Sequence, residues 1–388
     1  MSAAEKKFML DLPLKIVLTE EGASHFISRK QKLLRFKLAD NVEEYGIGLN
    51  HFSPMSIQNM ILIGYISKIE ISMAEFSSHR PDLMDLSKVI VFSILYKQFD
   101  HEIFDKLIQA DCVRKHNRMN PSQLLDERTK IPDKQLRNQL AMKDNVIQQS
   151  RQMILDSIWK NIMANKEYSP EEKNVYLLMT EKFLNRLSLM NWFIITKFYK
   201  VDGFDEIISM IRESLNEYME KSKIPDYIST MLMELALNCE NTNIRKEAKQ
   251  LYKGIDNSEA LIYDPEIRSK IISELINKKE VVFLSWKIGG GSSAIGKQGS
   301  LTITLYNKDD EFQEVKDNIE SKMSANLNKK TLIDFYKQMP EGGESNDLGL
   351  YYLSYLDDAC KKVGVKFESI VNQFSASDLT VINLKFNF

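Results

Sequence analysis

The sequence predicts an α+β protein in three successive parts: a mostly helical N-terminal region with a small β element, a long helical hairpin, and a C-terminal α/β sandwich. Three observations carry this. From Pro54 to Lys221 the apolar residues recur with helical spacing. Ser169-Pro170-Glu171-Glu172 is a helix start set between two long helical stretches, with Ser169 placed to cap and Pro170 in the first turn. Ten of the 15 glycines lie from Gly254 onward, where alternating, strand-like segments replace the helical pattern.

Composition narrows the class. A chain of 388 residues is long enough for about two or three domains. Lys+Arg of 52 against Asp+Glu of 54 gives a net charge of −2 and no electrostatic case for a nucleic-acid or membrane-surface partner. Asp11, Pro13 and Lys15 interrupt any leader-like apolar stretch, and no run of about 18 apolar residues occurs. Cys112, Cys239 and Cys360 are scattered without disulfide or metal spacing. The expected location is cytoplasmic.

In chain order, residues 1–116 hold two short strand-like pieces, Leu12 to Leu18 and Leu33 to Leu38. An apolar helical stripe follows at Ile57, Met60, Ile61, Tyr65 and Ile69, then helices over Leu83 to Phe99 and His101 to Val113. Residues 117–133 are polar, contain Pro121 and Pro132, and read as a linker. Residues 134–200 form the hairpin, with helices over Lys134 to Asn165 and from Ser169 to about Tyr199, ended by Val201-Asp202-Gly203. Its stripe of Leu184, Leu187, Met190 and Ile194 reads as core or dimer seam. In residues 201–388, helices are expected over Phe204 to Lys221, Tyr227 to Tyr252, and from Asp264-Pro265 to Lys279. Strands follow at Val281 to Ile288 and Leu301 to Tyr306. Helical stretches at 311–325 and 330–339 precede a terminal β-hairpin, Val365 to Val371 with Leu379 to Phe386.

Two patterns in this last part carry chemistry. Met233 to Asn238 reads Met-Glu-Leu-Ala-Leu-Asn, so Glu234 and Asn238 lie one turn apart on one helix face. Downstream, Gly342-Gly343 and Leu348-Gly349-Leu350 lead into an amphipathic helix. Glycines let backbone N–H groups approach phosphate oxygens, and a helix N-terminus favours negative charge. A competing stretch, Gly291 to Gln298, nearly spells a phosphate-binding loop. Gln298 stands where that loop needs a hydroxyl, and a strand follows where it needs a helix, so it reads as a hairpin turn.

Taken together, residues 231–388 resemble the ATP-binding domain shared by histidine kinases, anti-sigma-factor kinases, gyrase and a heat-shock chaperone family, the GHKL or Bergerat fold. The resemblance implies ATP and Mg²⁺ as cofactors. It places Asn238 on the Mg²⁺ ion and makes Glu234 the general base where hydrolysis or kinase chemistry occurs. Gly342, Gly343, Gly349 and Leu350 would wrap the phosphates. The family's Asp-x-Gly-x-Gly motif is absent: Asn307 stands in for the adenine-binding Asp, and no glycine follows it.

The hairpin ahead of such a domain resembles the dimerisation and phosphotransfer hairpin of histidine kinases. However, His25, His51, His79, His101 and His116 all precede residue 134, which excludes a phospho-accepting His on the hairpin. His101-Glu102 has the family's His-Glu pairing but lies across the Pro-containing linker, and reads as a surface histidine near a helix start. The functional expectation is a homodimeric, cytoplasmic signalling or regulatory protein whose nucleotide state is coupled to a protein partner. The alternative, from a different class, is a nucleotide-free scaffold that dimerises and binds a protein. The two differ in whether the Glu234/Asn238 face, Asn307 and the 342–349 loop line one open pocket.

Overall fold

A computed structural model describes residues 9–36, 44–253, 262–289, 299–307, 328–337, 344–374 and 379–388. Helices and one antiparallel sheet make the protein α+β. Two compact units divide the chain: Met1–Ser93 with Ile224–Phe388, and Ile94–Lys223.

In the first unit the N-terminal strands are β1 (Leu10–Leu18), β2 (Leu34–Phe36), β3 (Glu44–Phe52) and β4 (Ile66–Met73). The helices among them are α1 (Glu20–Ser28) and α2 (Pro54–Ile63). Strands β5 (Val282–Gly289), β6 (Ser300–Asn307), β7 (Asn328–Lys330), β8 (Lys366–Phe374) and β9 (Leu379–Asn387) complete a nine-stranded sheet ordered β2-β3-β1-β4-β5-β6-β9-β8-β7. Every pairing is antiparallel. Alternation sets the buried face: Leu10, Leu12, Leu14 and Ile16 of β1 point inward, as do Leu301, Ile303 and Leu305 of β6 opposite Phe386, Leu384 and Ile382 of β9.

The N-terminal β element belongs to the same sheet as the C-terminal strands. Ile69, expected at the end of a helical stripe, instead lies in β4, which pairs with β5 and joins the N-terminal strands to the C-terminal ones. The helical spacing through Ile69 is broken by Gly64, which ends α2 in the left-handed conformation at φ 85. Expected separate helices over Leu83 to Phe99 and His101 to Val113 are instead one helix, α3 (Arg80–Gln109), followed by α4 (Asp111–Met119).

The second unit holds α3 from Ile94 onward, α4, α5 (Asp133–Ala141), α6 (Asp144–Ala164), α7 (Pro170–Asn185), α8 (Leu189–Lys197) and α9 (Phe204–Lys221). Each expected hairpin helix is two. Met142 and Lys143 separate α5 from α6, and Ser188 caps a new helix, α8, through Asn191 N–H. Asp100 fixes that second break by accepting from Ser188 N–H at 2.6 Å and Asn191 Nδ2 at 2.6 Å. Burial raises the Asp100 carboxyl, and the bonds from Ser188 and Asn191 oppose the shift. The α7 start is as read, a capping box in which Ser169 and Glu172 satisfy each other's backbone N–H. His101 is exposed, and Glu102 is taken up by Lys106 at 2.7 Å and Ser214 at 2.9 Å.

Back in the first unit, α10 (Ile224–Leu251) packs on β5, β6, α11 (Pro265–Asn277) and α13 (Glu344–Lys362). The stretch expected as a helix over 330–339 is the end of β7 followed by the short α12 (Leu332–Lys337). The expected helix at 311–325 and the Gly291 to Gln298 turn lie outside the described residues. Among the described residues no helix is long and apolar enough to cross a membrane.

Candidate functional site

Helix α10 carries the two residues that spacing singled out, and its surroundings treat them differently. Glu234 is 7% exposed, and its Oε1 lies 3.4 Å from the half-exposed Arg80 guanidinium. Burial lifts its carboxyl above the usual range, and the nearby Arg80 charge works against that shift. Asn238, one turn on, is half-buried. Its Nδ2 is shut off from solvent without a hydrogen-bond partner among the described residues. The backbone carbonyl of Asn238 is occupied, accepting from Thr242 Oγ1 at 2.8 Å.

Tyr336 of α12 supplies the third component. Its ring is buried and its hydroxyl donates to Met231 Sδ at 3.4 Å, one helical turn before Glu234. Burial and the neighbouring Glu234 and Cys239 both push the Tyr336 hydroxyl far above the usual phenol range, so it stays protonated. The ring rests against Gly349 of α13: a Cβ at that glycine would come within 2.2 Å of Tyr336 Cε1. Gly349 is thus required for close packing of α12 on α13. Leu350 is half-buried beside it.

The expected site residues divide accordingly. Tyr336 links Gly349 to the α10 face that bears Glu234. The backbone of Asn307 ends β6 between Val282 and Thr380. Gly342 and Gly343 lie outside the described residues.

Sequence reasoning missed Arg80, Tyr336 and a buried clasp at Glu240, two residues beyond Asn238 on α10. Glu240 has no solvent exposure and accepts from Phe76 N–H at 2.5 Å, Ser77 N–H at 3.0 Å and Ser77 Oγ at 2.8 Å, with the Arg268 guanidinium as counter-charge. It anchors the turn from which α3 starts at Arg80, and so sets where Arg80 meets Glu234. Glu247, also fully buried, is neutralised by Lys278 at 2.7 Å. Glu240 and Glu247, seven residues apart, share one face of α10, and Glu234 lies on another; each of the three carboxylates has its own cation.

Residues 5–388 match a family of unknown function, DUF8084. The chain belongs to that family. The DUF8084 chain is 39% identical over 389 residues to an uncharacterised protein of Treponema pallidum (strain Nichols), with all of both chains covered. No solved structure matches this DUF8084 chain.

Proposed function

We propose that the DUF8084 chain is a cytoplasmic signalling or regulatory protein whose C-terminal part is a divergent GHKL-type domain. In this reading ATP with Mg²⁺ occupies the α10 face at Asn238, and nucleotide state is coupled to a protein partner, in a homodimer. The orphaned amide of Asn238 carries the proposal. A buried donor left without a partner costs about 1–3 kcal/mol, and Nδ2 of Asn238 is such a donor on the face where the resemblance places the nucleotide. The succession of α10, the β5–β6 pair, α13 and the terminal β8–β9 hairpin supports the same reading.

ATP would supply the phosphoryl group for hydrolysis or transfer. The chain's own residues would do the rest. Asn238 would hold the Mg²⁺, with its amide turned to present Oδ1, and Asn307 would meet the adenine. Gly342, Gly343, Gly349 and Leu350 would border the phosphates, with the Gly349 Cα already covered by Tyr336. Glu234, whose proton affinity is raised by burial, is suited to accept a proton from an attacking water or a partner hydroxyl.

Calorimetric titration of the full chain with ATP and MgCl₂ tests this. The expected result is saturable binding that Asn238→Ala weakens about tenfold or more, while Glu234→Gln binds normally and turns over slowly.

One observation favours the scaffold reading: Tyr336 and Arg80 already fill space around Glu234. In that case neither the native chain nor Tyr336→Ala binds ATP at millimolar concentration, and the protein acts by dimerising and holding a protein partner. Leu348, Tyr351 and Tyr355, an exposed stripe on α13, would suit that role.

A further inference from the structure

The helical unit contains a cavity of about 580 Å³, walled by the segment 121–131, α5 and α8. That volume falls in the range of about 300–1,000 Å³ typical of small-molecule sites. We infer that this cavity binds a small organic anion. Its acidic group would lie between Arg128 and Lys197, and its uncharged body against Phe193 and Leu124.

The wall is preformed. Asn117 grips Leu125 in both directions, accepting from its N–H at 2.8 Å and donating to its carbonyl at 3.0 Å. Leu125 is buried beneath this clamp. Thr129 Oγ1 donates to the Leu124 carbonyl at 2.6 Å and accepts from Asp126 N–H at 3.1 Å. The stretch read as a linker is therefore a folded loop with its own hydrogen-bond network, and a ligand would meet a rim that is already ordered.

Arg128 and Lys197 against Asp126 leave the wall with a net positive charge. Asp126 Oδ1 faces back into the turn, accepting from Arg128 N–H at 2.8 Å. Among the described residues, neither the Arg128 guanidinium nor the Lys197 ammonium is paired with a carboxylate. Lys197 is half-buried, with only the Phe193 ring of its own helix at 5.8 Å to offset its charge. Burial and the neighbouring Lys143 push its ammonium below the usual lysine range. An acidic group beside Lys197 would reverse that destabilisation. Gln135 and Gln139, one turn apart on α5, line the same cavity and add neutral hydrogen-bonding groups. Phe193 and Leu124 add apolar wall, which selects an organic anion over a bare inorganic one.

The test is titration of the full chain with phenyl phosphate, phenylacetate, inorganic phosphate and benzyl alcohol, read by calorimetry. The expected result is saturable binding of phenyl phosphate or phenylacetate, and the comparison of the two identifies the head group. Arg128→Gln and Lys197→Gln should each weaken it about tenfold or more, and Asn238→Ala should leave it unchanged, which separates this site from the α10 face. Arg128 is exposed, so Arg128→Gln carries the test if Lys197→Gln fails to fold. Benzyl alcohol binding as tightly as the two aromatic anions would overturn the proposal. So would inorganic phosphate matching phenyl phosphate, an affinity indifferent to both charge substitutions, or no saturable binding at millimolar probe.

Discussion

Glu240 accepts the Phe76 backbone N–H at 2.5 Å across 164 residues of sequence, from a side chain with no solvent exposure. The same carboxylate takes Ser77 N–H, Ser77 Oγ and Arg268, so four donors depend on one buried anion. Removing one partner of a buried ion pair costs about 3–5 kcal/mol, because the remaining charge is left uncompensated. Glu240→Ala is expected in that range. Glu240→Gln should cost less, since its amide oxygen can still accept one N–H. Urea unfolding midpoints measure both, and a loss below about 1 kcal/mol for Glu240→Ala would remove the clasp from the account of stability.

Gly349 and Tyr336 give a steric test. A Cβ at position 349 would meet a rigid ring at 2.2 Å, and the ring is buried with its hydroxyl held against Met231 of α10. Overpacking of this kind typically costs about 1–3 kcal/mol, which is the expectation for Gly349→Ala. Pairing it with Tyr336→Leu, which removes the clashing ring atoms, should recover part of the loss. A double-mutant cycle with no coupling would show that the two positions do not touch. Tyr336→Phe, which loses the hydroxyl and its contact with Met231 Sδ, should change stability by less than about 1 kcal/mol.

What was legible in the sequence follows from how local each determinant is. Helix α9 spans the expected Phe204 to Lys221, and β5, β6, β8 and β9 lie where alternating apolar residues placed them, because periodicity is carried within each segment. Strand β4 was not legible: Ile69 also fits the helical spacing of α2, and its partner β5 is far downstream. The hairpin breaks depend on contacts such as Asp100 with Ser188, 88 residues apart. The same distinction runs through the site. Glu234 and Asn238 are visible as a one-turn spacing, whereas Arg80 lies 154 residues from Glu234 and Tyr336 lies 105 from Met231. No local pattern marks either pair.

Glu234 makes a prediction about pH. Its carboxyl is raised above the ordinary 4.5 chiefly by burial, so the folded chain holds this proton at a pH where the unfolded chain has released it. The contribution of Glu234 to stability therefore falls as pH rises from about 4.5 through the folded value, and stays reduced above it. Glu234→Gln cannot ionise, and Arg80, half in solvent, tolerates losing the charge. Relative to the native chain the variant should thus gain stability between acidic and neutral pH. Unfolding midpoints across that interval measure it. Two parallel curves would mean that Glu234 titrates alike in the folded and unfolded chains.

In the helical unit, Phe183 is the ring on which three others converge. Tyr96 lies 4.9 Å from it centroid to centroid, Phe99 5.2 Å and Tyr218 5.5 Å, all edge-on. It has no solvent exposure, so Phe183→Ala would leave a cavity that rigid aromatic neighbours cannot close. Such truncations cost about 3–5 kcal/mol. Phe183→Leu, which keeps most of the volume but loses the edge-on ring contacts, should cost less, and the difference between the two measures what the aromatic geometry adds. Amide exchange localises the effect: α7, α9 and the part of α3 beyond Ile94 should lose protection together in Phe183→Ala. Protection lost from α7 alone would mean that the four rings do not form one cooperative core.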